Sequence, residues 1–407
     1  MRRFGPRRSF RMLYLTRKFM LEDRTTANTN NAGRAARAAV AEHAPPSPAR
    51  AALGEWPFVS IVIPCYNEER FIFKVLENFA GQYQPGRSEI VVVDGRSTDA
   101  TREQVAEFKR AYPNLPVRLV DNPARNIPVG VNLGIAEARG DVIVRMDAHS
   151  IPSSNYVRRC VERLGAGASD GREEDAVAVV GMPIRVQPGA DTRAARAVAL
   201  AVAHPFGIGD AKYRRPEHAA ETGFVDTVPF GVFRKSLWRE VGGFDEQLLA
   251  NEDYDFFYRI RTRGGRILLD TSGHILYFAR ATVTEVARQY FRYGSWKAQM
   301  VKLHPRSLRW RHLVAPAFVA GVASTALLGF WWRPAWWLLA AALLPYASLS
   351  LYCAFRAARR ARDLSLLPFI ALVFLVLHVA WGSSFLLGLI RSPRREVEMK
   401  SVGVDEG

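Results

Sequence analysis

A chain of 407 residues, 49% hydrophobic and 23% charged, has room for one large domain plus accessory segments. Its formal charge of +17 draws on Arg and Lys clustered at the amino terminus and beside three long uncharged stretches, a distribution suited to anionic lipid, and no nucleic-acid-reading motif accompanies it. Three cysteines, Cys65, Cys160 and Cys353, have no paired spacing, which argues against a disulfide framework or a cysteine-rich metal site and fits a reducing cytoplasm.

The first 18 residues hold seven Arg/Lys and no acid, without the apolar core of a secretory signal, and Met12 and Met20 leave the true start open. Residues 1–56 read as a basic, disordered tail and an Ala/Pro-rich linker. From 57 to 303 the pattern alternates. "FVSIVIP" (58–64) reads as a buried strand, 69–82 as an amphipathic helix and 89–94 as a second strand. A helix over 97–112, a strand at 117–122, a helix near 129–138 and a strand at 142–147 follow, and a further helix covers 254–264. Such alternation predicts a parallel sheet covered by helices, with ligand residues at the strand ends, where Asn67, Glu68, Asp94 and Asp147 fall.

Residues 304–391 carry the uncharged stretches Leu313–Trp332, Ala335–Phe355 and Leu364–Ile390, each long enough to cross a bilayer and less suited to a soluble core. The basic segments before residue 313 and at 356–362 favour the cytoplasmic side, so the first two spans form a hairpin around "WWRPAWW" with its base in the cytoplasm. A third span would carry Arg391–Arg395 to the far side, against the positive-inside rule. The alternative is a re-entrant segment at His378 to Ser384. A tail closes the chain at 392–407.

"IVIPCYNEE", "VVVDGRSTDAT", "GDVIVRMDAH", "PFGVFRKSLWREVGGFDE" and "NEDYDFFYRIRTRGGRI" together resemble, in order and spacing, the family-2 glycosyltransferases of GT-A fold. With the apolar tail they are most similar to the succinoglycan-biosynthesis (ExoA-like) type of membrane-anchored exopolysaccharide transferases. The resemblance implies an α/β, Rossmann-like GT-A domain over 57–303, ending in a membrane-proximal amphipathic helix and followed by two or three transmembrane helices. It implies an inverting enzyme of the bacterial inner membrane that moves a sugar from a nucleoside-diphosphate donor, UDP being the commonest, to a lipid-linked or polysaccharide acceptor. A non-catalytic nucleotide-sugar-binding or scaffold protein on the same fold is the alternative.

The leaving diphosphate gains charge as the glycosidic bond breaks, which calls for a divalent cation, Mg²⁺ or Mn²⁺. Asp147 and His149 are the candidate metal residues, the His departing from the family's usual Asp-x-Asp. A turn cap and a surface histidine are the bland readings. By resemblance, Pro64, Tyr66, Asn67, Glu68 and Asp94 bind the nucleotide, and Asp253, second acid of "ED", is the base that deprotonates the acceptor hydroxyl. "QYFRY" (289–293) resembles the Gln-x-x-Arg-Trp motif and places Arg292 near the diphosphate; a basic helix on the membrane surface accounts for it equally. Asp99 reads as a helix-start residue. Arg125, Asn126 and Asn132 either meet phosphate or serve packing, and Phe230 and Phe233 either line the acceptor side or belong to the core.

Overall fold

The computed structural model describes residues 56–166, 177–209, 211–214 and 222–391. The tails expected over 1–56 and 392–407 lie outside them apart from Trp56. In chain order the described elements are β1 (Val59–Cys65), α1 (Ile72–Ala80), β2 (Ser88–Asp94), α2 (Thr101–Ala111), β3 (Val117–Asp121), α3 (Ile127–Glu137) and β4 (Val142–Arg145). β5 (Ser150–Pro152), α4 (Tyr156–Ala166), β6 (Val177–Gly181), β7 (Ile184–Gln187), α5 (Arg193–Val202), α6 (Pro205–Ile208) and β8 (Gly223–Phe224) follow. The α/β unit ends with β9 (Val232–Arg234), α7 (Lys235–Val241), α8 (Glu252–Thr262), β10 (Arg266–Leu269), β11 (Ile275–Phe278) and α9 (Val283–Leu303).

An eight-stranded sheet runs β3-β2-β1-β4-β9-β6-β10-β8, and a smaller sheet runs β5-β11-β7. β1 pairs in parallel with β2 and β4, so both strands deliver their carboxyl ends to one edge. β9 is antiparallel to both neighbours, β4 and β6. β1 and β2 are buried throughout, as their unbroken apolar runs require of strands covered on both faces. One core layer packs α1, α2 and α4 on the sheet, with Phe79, Phe108 and Tyr156 fully buried. The other packs α3 and α8, through Ile135, Phe256 and Phe257. α3 sits so close that Gly134 leaves no room for a Cβ against Val62 and Val93. The strand expected to reach residue 147 ends at Arg145, because the Asp147 carbonyl takes the Ser150 N–H at 3.2 Å and turns the chain.

Three helices follow that are long and apolar enough to cross a membrane: α10 (Arg311–Leu328), α11 (Ala335–Arg360) and α12 (Leu367–Ile390). Where they join the catalytic unit, Asp226 pairs with Arg261 of α8 at 3.8 Å, Arg309 at 2.7 Å and Arg311 at 3.3 Å. Beside this cluster Lys297 of α9 is buried, its Nζ 3.8 Å from the centre of the Tyr254 ring. Burial, and then the neighbouring Arg311, Arg261 and Arg309, push its pKa down to about 7.

Candidate active site

The loops leaving β1 and β2 are stitched to each other. Asn67, in the left-handed region at φ 55°, donates its N–H to Ser97 Oγ at 2.9 Å and accepts from the Thr98 N–H at 2.8 Å. The Glu68 N–H reaches Thr101 Oγ1 at 2.7 Å, and Asp99 accepts from the Thr101 N–H at 3.1 Å, so Asp99 does serve the start of α2. Asp94, fully buried at the end of β2, accepts the Ser97 N–H at 3.1 Å and faces Arg102 at 3.6 Å. Burial first, then the charge of Asp94, pushes the adjacent Cys65 thiol far up, so this cysteine is held neutral. Pro64 lies within β1, and Tyr66 projects from its end 47% exposed.

Arg145, the last residue of β4, is the center of the next cluster and was not singled out from the sequence. Its side chain is 4% exposed and points a guanidinium at three carboxylates: Asp147 at 3.1 Å, Glu252 at 3.5 Å and Asp253 at 3.7 Å. Phe230 supports it from below, 5.2 Å from ring centre to guanidinium carbon. Phe230 and Asn251, which precedes Glu252, both have left-handed backbones, at φ 65° and 64°. Asn tolerates this and Phe does not, so the strain is concentrated beside the charged cluster. Burial, and then the charge of Asp253, raises the Glu252 pKa far above the carboxylate range against the opposing pull of Arg145, so Glu252 keeps its proton near neutrality. Asp253 is the more open of the two acids, with a side chain 29% exposed against 8% for Glu252.

His149 lies beside Asp147, its Nδ1 2.9 Å from Glu68 Oε1. Burial disfavours the imidazolium, but the Glu68 hydrogen bond and the Asp147 charge outweigh it and raise the pKa. Glu68 thereby ties the first loop to the turn that follows β4. A histidine that gives one ring N–H to a carboxylate keeps the other nitrogen for a metal, the usual arrangement at metal sites. Among the described residues no cluster of three or more His, Cys, Asp or Glu could enclose an ion. Asp147 supplies a carboxylate oxygen and His149 a ring nitrogen, donor types that divalent cations accept.

A tyrosine wall flanks this region. Tyr277 of β11 pairs with Ser150 in register, and its ring lies 6.1 Å from that of His149. Gln289 donates to the Tyr293 hydroxyl at 2.9 Å, and Asn251 reaches the Tyr293 carbonyl at 3.3 Å, so two members of "QYFRY" border the acidic cluster. Arg214 stacks on Tyr213 and Tyr277, 5.7 Å from each ring centre. Arg292 is not brought to this cluster. One residue before Tyr293 and turned about 100° round the helix, it lines a surface groove with Arg288, Phe291, Trp296 and Ala380. Asn126 caps α3 through the Val129 N–H at 3.0 Å, and Asn132 holds Phe244 and Trp238, so both serve the framework. Phe233 packs in the core against Phe256, 5.2 Å between ring centres.

Two further observations bear on identity. The described fold resembles a mannosyltransferase from Pyrobaculum calidifontis solved with GDP-Man and Mn²⁺, at a TM-score of 0.53 and 21% identity, covering 81% of this chain and 88% of that one. In sequence, the chain is 30% identical to the succinoglycan biosynthesis protein ExoA of Rhizobium meliloti (strain 1021), over 82% of this chain and 96% of the relative. It is 26% identical to a dolichyl N-acetyl-alpha-D-glucosaminyl phosphate glucuronosyltransferase of Methanococcus voltae, over 62% of this chain and 77% of that one. Residues 60–237 match the model of glycosyl transferase family 2. With its acids gathered on a GT-A sheet and apolar helices behind them, the chain belongs to glycosyl transferase family 2.

Proposed function

We propose that this glycosyltransferase is an inverting, cation-dependent enzyme of the bacterial inner membrane. Its catalytic unit faces the cytoplasm and transfers a sugar from a nucleoside-diphosphate donor, UDP being the first to test, to a lipid-linked saccharide in cell-surface glycan synthesis. The observation that carries this reading is the convergence of Asp147, Glu252 and Asp253 on the one guanidinium of Arg145, within 3.1–3.7 Å. It couples the end of β4, where a donor diphosphate would lie, to the start of α8, where a base would meet the acceptor.

In this arrangement Tyr66 and Asp94 receive the nucleoside, and Pro64, Asn67 and Glu68 shape the loop beneath it. Asp147 and His149 would hold a divalent cation, which would supply positive charge against the leaving diphosphate. Asp253 takes the proton from the acceptor hydroxyl as it attacks the anomeric carbon, on the face opposite the departing group. Arg145 bridges the two more open acids, Asp147 at 3.1 Å and Asp253 at 3.7 Å. The Mn²⁺ of the Pyrobaculum enzyme and the glycan-building roles named for the ExoA and Methanococcus relatives support the reading.

The test is transfer itself. Membranes containing the protein are incubated with a panel of labelled nucleotide-sugars, and label is expected in the lipid fraction. Excess chelator should abolish it, and Mg²⁺ or Mn²⁺ should restore it. Label only in water-soluble oligosaccharide, or full transfer in chelator, refutes the acceptor or the cation respectively. An α-linked product from an α-linked donor refutes inversion.

A further inference from the structure

By length and composition α12 could cross a bilayer: its 24 residues span roughly 36 Å against about 30 Å of hydrocarbon. Its contacts place it differently. At its start, Leu366 and Ile370 share a buried cluster with Ala354, Ala357 and Ala358, the last turns of α11. Past its middle, Trp381 faces His312 at 6.3 Å between ring centres, and Gly382 lies against the Ala315 carbonyl, in the first turns of α10. Those turns form the base of the α10–α11 hairpin, opposite the turn at Trp332–Pro334. Between these ends His378 meets the Tyr346 hydroxyl of α11 at 2.9 Å, so α12 crosses obliquely over the half of the hairpin away from the turn at Trp332–Pro334.

The catalytic unit also holds α12 along its length. Arg196 of α5 pairs at 3.0 Å with Asp363, just before the helix. The Phe206 carbonyl of α6 accepts from His378 Nε2 at 2.7 Å, midway along it. At the far end Lys302 of α9 donates to the carbonyls of Gly388, at 2.9 Å, and Arg391. α9 runs parallel to α12, Gly294 packing on Trp381 and Ser384, and Gln299 and Lys302 reaching Gly388. The exposed Arg288 and Arg292 thus lie level with Ala380, near the middle of α12. Were α12 to cross, two guanidinium groups would face the bilayer centre, among the most costly placements a membrane allows. The outer face of α12 exposes Leu372, Leu375, Val379, Leu387 and Ile390. This apolar face suits acyl chains, and Arg288 and Arg292 of α9 beside it suit anionic headgroups.

We propose that α12 is an in-plane helix docked on the lipid of the leaflet facing the catalytic unit, that only α10 and α11 cross the bilayer, and that Arg391 stays on the catalytic side. This keeps all three basic clusters, Lys302–Arg311, Arg356–Arg362 and Arg391–Arg395, on one side. It rests on membrane attachment and not on the transfer reaction.

Single cysteines test it in the full chain in its membrane: Arg110→Cys on α2 marks the catalytic side, Arg333→Cys the hairpin turn and Arg391→Cys the end of α12. A membrane-impermeant maleimide is applied to sealed inside-out and right-side-out vesicles, with the parent chain as blank. Arg391→Cys is expected to label in the same vesicles as Arg110→Cys, and Arg333→Cys in the opposite ones. A cysteine appended after Gly407 repeats the readout without altering α12. If Arg391→Cys and the appended cysteine label with Arg333→Cys, α12 crosses and the proposal fails. If Arg333→Cys labels with Arg110→Cys, the hairpin does not cross and the two-span arrangement fails equally.

Discussion

At Asp253 the expected cost of losing the carboxylate is kinetic. Asp253→Asn should lower kcat by about 10²–10⁴-fold with little change in donor KM, because a general base acts in the transition state and not in donor binding. Near-normal turnover in folded protein would remove the assignment. Glu252→Gln separates the two acids. A residue that already holds its proton loses little on becoming an amide, so turnover is expected to stay within a few-fold of the parent. Arg145→Met is expected to lower both stability and activity, since it leaves Asp147 and Asp253 without the guanidinium they share; thermal unfolding measures the first. At the cation, Asp147→Ala should be worse than His149→Ala, because the carboxylate supplies a charge as well as a ligand, and metal titration of the transfer rate checks the order.

At the scale of elements, α9 carries a group whose charge works against its packing. With its pKa lowered to about 7, Lys297 takes up a proton less readily when folded than when unfolded, and the deficit is fully present below that pH. Stability should therefore rise as pH climbs from about 7 toward the ordinary lysine range, and Lys297→Met should raise the unfolding temperature most at pH 6 and least at alkaline pH. An equal gain at all pH values would show that Lys297 is not the group responsible. The same helix shows where sequence reading reaches its limit. β1 to β4 and α1 to α3 were legible to within a few residues, because buried strands and capped helices write their pattern locally. Arg145 was missed because its three partners come from residues 147, 252 and 253. A charged residue inside an otherwise apolar strand was the available signal. Arg292 was grouped with Gln289 and Tyr293 by motif, yet the turn of α9 sends it to another face. Hydropathy identified α12 as apolar without indicating which neighbours it lies against, since depth in a membrane is set by packing.

On the whole-molecule scale, the four tryptophans around the hairpin turn, Trp331, Trp332, Trp336 and Trp337, are exposed and suit the headgroup level of the far leaflet. The opposite end of the hairpin is joined to the chemistry. Asp226 holds Arg309 and Arg311, at the head of α10, and Arg261, two turns along the helix that begins with Glu252 and Asp253. One carboxylate, Asp226, therefore links the head of the hairpin to α8. Replacing Arg309 and Arg311 with Ala would leave Asp226 facing Arg261 alone among these three. Such a variant should bind donor but turn over slowly even with a short, water-soluble acceptor, and a bilayer thinner than the hairpin's match should slow the intact enzyme without dissociating it.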